Sequence, residues 1–173
     1  MIAFSIFLLF VISQRLIELL IAKRNERILK AQGGIEFDKN GYRVIVVMHV
    51  VFFVSLICEK VFLSRMLNSY WIIFAALFGV AQFLRYWAIK SLGVYWNTKI
   101  LVLPNHKLVI AGPYKFLRHP NYLAVIVEIA VIPLIFSCYL TACIFSVINF
   151  ILLRRRIKIE ENALRKTSIG FAR

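Results

Sequence analysis

Long apolar runs, each closed by a short polar or basic stretch, recur along this 173-residue chain, and no other feature constrains its fold as strongly. The first, Met1 to about Ala22, is long enough to cross a hydrocarbon core of roughly 30 Å, which takes about 20 helical residues. It carries no small-residue cleavage site of the signal-peptide kind and is therefore read as a retained span. Further runs cover about 43–63 and 69–90. Residues 121–153 form a nearly continuous apolar stretch, too long for one comfortable span and short for two. Pro133 and Ser137-Cys138-Tyr139 offer a turn there, so the stretch is expected to fold as a tight hairpin of two short helices, about 121–136 and 140–153. Backbone groups inside lipid must be satisfied within their own segment, so every span should be helical. The expected fold is all-α and integral to the membrane, with about five transmembrane helices in a single domain, 1–173.

Composition agrees with this reading: 61% of residues are hydrophobic and the mean hydropathy is +0.80. The formal net charge of +14 would in a soluble protein suggest nucleic-acid binding. Here the cations fall between apolar runs, as they do on the cytoplasmic side of membrane proteins, where they also meet anionic headgroups. Nineteen of the 22 Lys and Arg lie on one predicted side, in 23–43, 85–118 and 154–173. Lys60 and Arg65 lie opposite, and Arg15 lies within a span. The protein is thus expected to be a multi-pass cell-membrane protein with its N-terminus outside and its C-terminus in the cytoplasm, with membrane lipids and no nucleic acid as partners. Cys58, Cys138 and Cys143 sit in apolar stretches without metal-ligand spacing, so neither a disulfide framework nor a metal site is expected.

Residues 23–43 read as a polar loop with Gly33-Gly34 and Asn40-Gly41 as turns. Residues 91–119, broken by Gly93, Pro104, Gly112 and Pro113, form the longest non-membrane segment; its aromatics, Tyr95, Trp96, Tyr114 and Phe116, suit packing on the bundle or the interface. Two segments carry candidate chemistry. The first runs from His106-Lys107-Leu108-Val109 through Gly112-Pro113-Tyr114 to Arg118-His119-Pro120-Asn121-Tyr122. Gly112-Pro113 suits a turn, and Pro120 suits the first turn of a helix. His119 and the first free backbone N–H groups would then face the cytoplasm, where they can bind polar ligand atoms. The second, Arg156 to Leu164, places Arg156 and Glu160 four apart on one helix face. Both segments flank the same hairpin on the predicted cytoplasmic face, within reach of a soluble metabolite and of a lipid. A plainer account is available for each: interfacial capping residues for the first, and a surface ion pair for the second. Arg15, Glu18, Glu59, Glu128 and His49 lie inside spans and must face partners or water. Arg15 and Glu18, three apart, can pair, and Glu128 lies two turns into the helix that follows His119.

Taken together, His-x-Leu-Val at 106–109, Gly-x-Tyr at 112–114, Arg-His-Pro-x-Tyr at 118–122 and Arg-x-x-x-Glu-Glu-x-x-Leu at 156–164 resemble the isoprenylcysteine carboxyl methyltransferase family, and its small bacterial members most. The resemblance covers the C-terminal 90 or so residues. It implies an S-adenosylmethionine-binding site formed by His106, Lys107, Leu108, Val109, Tyr114, His119, Pro120, Asn121, Tyr122 and Glu160, with Gln82 a looser match. It also implies that Arg156 lies near the methyl-accepting group. Such a donor carries an ammonium, a carboxylate and a sulfonium. Glu160 suits the first, while His119, Lys107 or backbone N–H groups suit the second. Tyr114 or Tyr122 suits the third through cation–π attraction. No GxGxxG follows a predicted strand, so a Rossmann-type cofactor site is not supported.

The expected function is membrane-embedded, S-adenosylmethionine-dependent O-methylation of a lipid-like acceptor, either an isoprenylcysteine-type carboxylate or a long-chain polyketide or alkylpyrone hydroxyl. The chain lacks the longer C-terminal extension of the eukaryotic members, which weakens the case for a prenylated protein. A nicotinamide-dependent membrane reductase is the second enzymatic reading, and a small transporter or scaffold the non-enzymatic one.

Overall fold

The computed structural model describes residues 1–167; positions 168–173 of the predicted basic tail lie outside them. Five α-helices dominate: α1 (Ile2–Ala31), α2 (Lys39–Phe62), α3 (Trp71–Leu92), α4 (Pro120–Ile135) and α5 (Tyr139–Thr167). Helices α1, α2 and α3 are long and apolar enough to cross a membrane, and α4 is a shorter apolar helix. The predicted hairpin is present as α4 and α5, joined through Phe136-Ser137-Cys138 with Ser137 in the left-handed region at φ 54°. Helix α4 packs between α3 and α5, and α2 packs on α5. Aromatic edges fill the seams, with Phe4 and Phe136 centroids 4.9 Å apart and Phe52 and Phe145 5.5 Å apart.

Three features depart from the sequence expectation. Helix α1 does not end at Ala22 but continues through Ala31, because 23–31 is rich in good helix formers and buries Asn25 and Leu29 on one side. It stops where Gly33 takes φ +88° and Gly34 N–H donates to Leu29 O at 2.8 Å. Helix α5 likewise runs past Leu153 without a break. The polar segments are also not wholly loop: Ile35–Phe37 (β1) and Ile100–Val102 (β2) pair antiparallel, with Glu36 opposite Leu101. Ile100 and Val102 pack with Phe37 against Ile159, Ala163 and Leu164 of α5, forming a small second core.

Four acidic–basic contacts surround the junction of this ribbon with α1, and two of them, Lys30–Glu36 and Lys99–Glu26, cross it. Lys30 Nζ lies 2.5 Å from Glu26 and 3.0 Å from Glu36, and Lys99 Nζ lies 2.8 Å and 3.5 Å from the same two carboxylates. Burial pushes both acids up, but hydrogen bonding and charge attraction from Lys30 and Lys99 outweigh it, and both pKa values fall below the usual 4.5. A depressed carboxylate contributes stability that is present above the unfolded value and lost as pH falls through the folded one. Ribbon protection should therefore hold from neutrality to about pH 4.5 and decline below it. Hydrogen-exchange protection factors for 35–37 and 100–102, corrected for intrinsic rate, measure this; protection unchanged down to pH 3 would contradict it.

Within the apolar bundle a polar cluster joins three helices. Arg15 pairs with Glu18 at 2.6 Å, as its i,i+3 spacing allows, and with Glu128 at 3.0 Å. Arg85 donates from Nε to Glu128 Oε1 at 3.0 Å, lies 3.4 Å from Glu18, and makes a further contact from Nη2 to Glu128. Gln82 Nε2 donates to Glu128 at 2.6 Å, and Gln14 Nε2 donates to Gln82. Arg85, counted above with the cytoplasmic cations, is thus a buried bundle residue, and Gln82 faces this cluster. At the opposite end Glu59 accepts the backbone N–H of Leu140 at 3.2 Å and Thr141 at 2.7 Å, satisfying free donors of the first turn of α5.

Candidate active site

Between the ribbon, the 103–119 segment, the start of α4 and the far end of α5 lies a cavity of about 420 Å³. Its position follows from three local devices. Gly112, at φ +55°, lets the 3₁₀ turn Gly112–Lys115 lie against α3, where an added Cβ would strike Ser91 Oγ and come within 2.9 Å of Trp87 Nε1. Pro120 begins α4, where its missing N–H costs nothing, and leaves His119 as the cap residue. The uninterrupted α5 carries Arg156, Glu160, Glu161 and Leu164 out to the cavity side, and its end is tied down by Asn105 N–H donating to Thr167 O at 2.8 Å. Gly112→Ala should therefore cost about 1–3 kcal/mol through left-handed strain and overpacking, read as a lowered Tm in detergent. An unchanged Tm would show that the turn is not held against α3.

Of the predicted site residues, His106, Lys107, Leu108, Val109, Tyr114, His119, Asn121, Tyr122 and Glu160 line this cavity. Pro120 does not line it; it is fully buried and sets the start of α4. Arg156 lies behind Tyr122, only 5% exposed. Gln82 is in the bundle cluster and not at the cavity wall.

The spacing of Arg156 and Glu160 suggested a direct pair, but a third residue stands between them. The Tyr122 hydroxyl donates to Glu160 Oε2 at 2.5 Å and accepts from Arg156 Nε at 2.9 Å. Arg156 also stacks its guanidinium 5.7 Å from the Tyr122 ring centroid and donates from Nη2 to Thr98 O at 2.6 Å. The result is a fixed guanidinium held by an aromatic ring, a hydroxyl and a backbone carbonyl, a geometry that lysine cannot reproduce.

His119 stacks on Tyr122, with centroids 5.2 Å apart and planes 15° from parallel. Its ring nitrogens lie 3.7 Å from Glu160 and 3.4 Å from Glu161, so it faces carboxylates and not an open anion site. Burial, and then the Glu160 carboxylate, push the Tyr114 phenol well above its ordinary range and keep it a neutral donor. Among the described residues no group of three His, Cys, Asp or Glu side chains is placed to hold a metal ion.

The model of the isoprenylcysteine carboxyl methyltransferase family matches residues 71–166, more than half of the sequence. The chain belongs to that family. Its similarity to Uncharacterized protein YpbQ of Bacillus subtilis (strain 168) is 46% identity over 166 residues, covering 96% of this chain and 99% of that one. An uncharacterized protein of Haemophilus influenzae (strain ATCC 51907 / DSM 11121 / KW20 / Rd) is 31% identical over 155 residues, covering 89% and 90%. No solved structure matches. Family membership and the apolar helices make this a membrane protein of a methyltransferase family.

Sequence reasoning missed several cavity residues. Tyr95 and Trp96 were legible only as packing aromatics, yet both line the cavity, and the Tyr95 hydroxyl lies 2.7 Å from His106 Nε2 with the rings 4.4 Å apart. Lys99, one of many cations in the sequence, bridges the cavity wall to Glu26 and Glu36. Asn25 had no signal beyond its polarity; its side chain donates to Gly93 O at 3.1 Å and to Trp96 O at 2.7 Å, fixing the turn that carries Tyr95 and Trp96.

Proposed function

We propose that this protein transfers the methyl group of S-adenosylmethionine to an oxygen of a lipid-like acceptor, at the cytoplasmic ends of a five-span bundle with the N-terminus outside. The observation that carries the reading is the Arg156–Tyr122–Glu160 chain of contacts at a cavity lined by the motif residues. The cavity fits such a donor in chemistry and size: it presents acids at Glu160 and Glu161, cations at Lys107 and Arg118, aromatic walls, and a volume in the range of small-molecule sites.

S-Adenosylmethionine supplies an electrophilic methyl on a sulfonium, which becomes a neutral thioether as the S–CH₃ bond breaks and the O–CH₃ bond forms. Glu160 attracts the ammonium of that donor, and the neutral phenols of Tyr114 and Tyr122 offer π faces to positive charge. Arg156, fixed behind Tyr122 by its three contacts, would favour the acceptor anion beside the methyl through its charge. A carboxylate or acidic enol is already ionised near neutrality, so no general base is needed. Opposite charges are consumed in the reaction, so orientation and exclusion of water provide the acceleration.

The test uses the purified protein in nanodiscs, methyl-labelled donor and a total lipid extract from a bacterium. A labelled lipid is expected, at a rate that falls when Glu160 is replaced by Gln. Failure of the protein to bind the donor, together with no labelled product, would overturn the reading.

A further inference from the structure

Asparagine is a mediocre helix former, and a buried amide needs hydrogen-bond partners. Asn25 lies in the extension of α1 past Ala22, is 6% exposed, and directs its amide outside its own helix. Its Nδ2 donates to Gly93 O at 3.1 Å and to Trp96 O at 2.7 Å. Helix α1 precedes the 71–166 stretch that the family model matches, so family membership gives these contacts no role.

Two further contacts join the same part of α1 to the same loop. Asn97 Nδ2 donates to Ala22 O at 3.1 Å, and Lys99 Nζ donates to Glu26 Oε1 at 2.8 Å. Asn97 Oδ1 also accepts the Lys99 backbone N–H at 2.9 Å, an Asx-type turn that encloses Thr98. Both neighbours of Thr98 are thus tied to α1, and the Thr98 carbonyl between them accepts Arg156 Nη2 at 2.6 Å. The other hydrogen-bond anchor of the guanidinium, the Tyr122 hydroxyl, belongs to α4. Asn97 and Lys99 also line the cavity, where a ligand meets them, whereas Asn25 does not line it.

We propose that Asn25 is a positioning residue for Arg156: it holds the 93–98 turn so that the Thr98 carbonyl fixes the guanidinium. This rests on the methyl-transfer reading above, in which Arg156 acts by its charge from behind Tyr122. Such a charge is most effective when it is already in place and need not reorganise during the reaction. A misplacement of about 1 Å from a change far from the chemistry can cost about a hundredfold in rate. Asn25 is one of several ties on this turn, so its removal is expected to cost less, about tenfold.

The experiment compares Asn25→Ala with the unsubstituted protein in nanodiscs, using saturating methyl-labelled donor and a total bacterial lipid extract, with rates taken per folded protein. The rate should fall about tenfold, while Kd for S-adenosylhomocysteine stays within about twofold. In an Arg156→Ala background the same change should alter the rate by less than about twofold, because the group it positions is gone. An asparagine with a merely structural role would lower Tm and leave the rate per folded protein unchanged. An unchanged rate overturns the assignment, and so does a tenfold loss that persists without Arg156. A loss of donor affinity as large as the loss of rate also overturns it, since Asn25 would then act through the cavity wall at Tyr95 and Trp96. If Asn25→Ala does not fold, Asn25→Ser, which keeps one short donor, takes its place, with about a threefold fall expected and the same overturning results. Solvent exchange of the Arg156 guanidinium protons, followed by NMR and assigned against Arg156→Lys, reads the positioning without any turnover. It should be about tenfold faster in the Asn25 variant, the size of one loosened hydrogen bond, and unchanged exchange overturns the assignment. If the unsubstituted protein transfers no methyl group, the methyl-transfer reading fails, and the exchange rate alone then decides whether Asn25 positions Arg156.

Discussion

Replacing Arg156 by Ala is expected to reduce methyl transfer by about 10²–10³-fold while leaving donor affinity within a few-fold, the size of effect seen when a preorganised charge is removed from a reacting centre. The expectation rests on where Arg156 lies. It is 5% exposed, and its Nε and Nη2 are committed to Tyr122 Oη and Thr98 O, so it is oriented before any ligand arrives. Arg156→Lys should recover little, because an ammonium cannot bond Tyr122 and Thr98 while stacking on the Tyr122 ring. Tyr122→Phe should fall between the two, since it keeps the ring and removes the hydroxyl that joins Arg156 to Glu160. The readout is kcat with saturating donor, beside a separate Kd for S-adenosylhomocysteine. If Arg156→Ala loses donor binding and turnover equally, the guanidinium serves the cofactor and not the acceptor.

Much of this arrangement was legible in the sequence, because its signals are local. Pro120 marked the start of α4 through its missing N–H, and Arg15 and Glu18 declared their pairing through i,i+3 spacing. The α4–α5 hairpin followed from the length of the apolar run and the break around Ser137. What stayed hidden depends on contacts between distant segments. Strands of three residues show no usable alternation, so β1 and β2 emerge only from the pairing of Ile35–Phe37 with residues some 65 positions away. The polarity of the tail of α1 suits a loop, yet helix propensity is high in 23–31 and is rewarded there by the burial of Asn25 and Leu29. The i,i+4 rule brought Arg156 and Glu160 to one face but could not show Tyr122, from another helix, inserted between them. Arg85 misled for a related reason: a cation near the end of an apolar run looks interfacial unless its carboxylate partners, on α1 and α4, are already in view.

Those partners set the largest expected stability effect, Glu128→Ala. The cluster balances two guanidinium groups, Arg15 and Arg85, against two carboxylates, Glu18 and Glu128, with Gln14 and Gln82 filling the remaining donor and acceptor positions. Removing Glu128 leaves two cations sharing one carboxylate in surroundings that cannot hydrate them, and breaking a buried pair in this way costs about 3–5 kcal/mol. Arg85→Met with Glu128→Leu should cost much less than the single change, because one Arg and one Glu then remain and apolar atoms fill the space. Unfolding of the detergent-solubilised protein across an SDS titration gives both values. A Glu128→Ala protein of unchanged stability would mean that water reaches the cluster. A double variant as unstable as the single one would mean that Arg85 and Glu128 act through separate partners instead of through each other. The distinction bears on the site as well, since Arg85 Nη1 lies 3.5 Å from Asn121 Oδ1 in the first turn of α4, where the bundle cluster and the cavity wall meet.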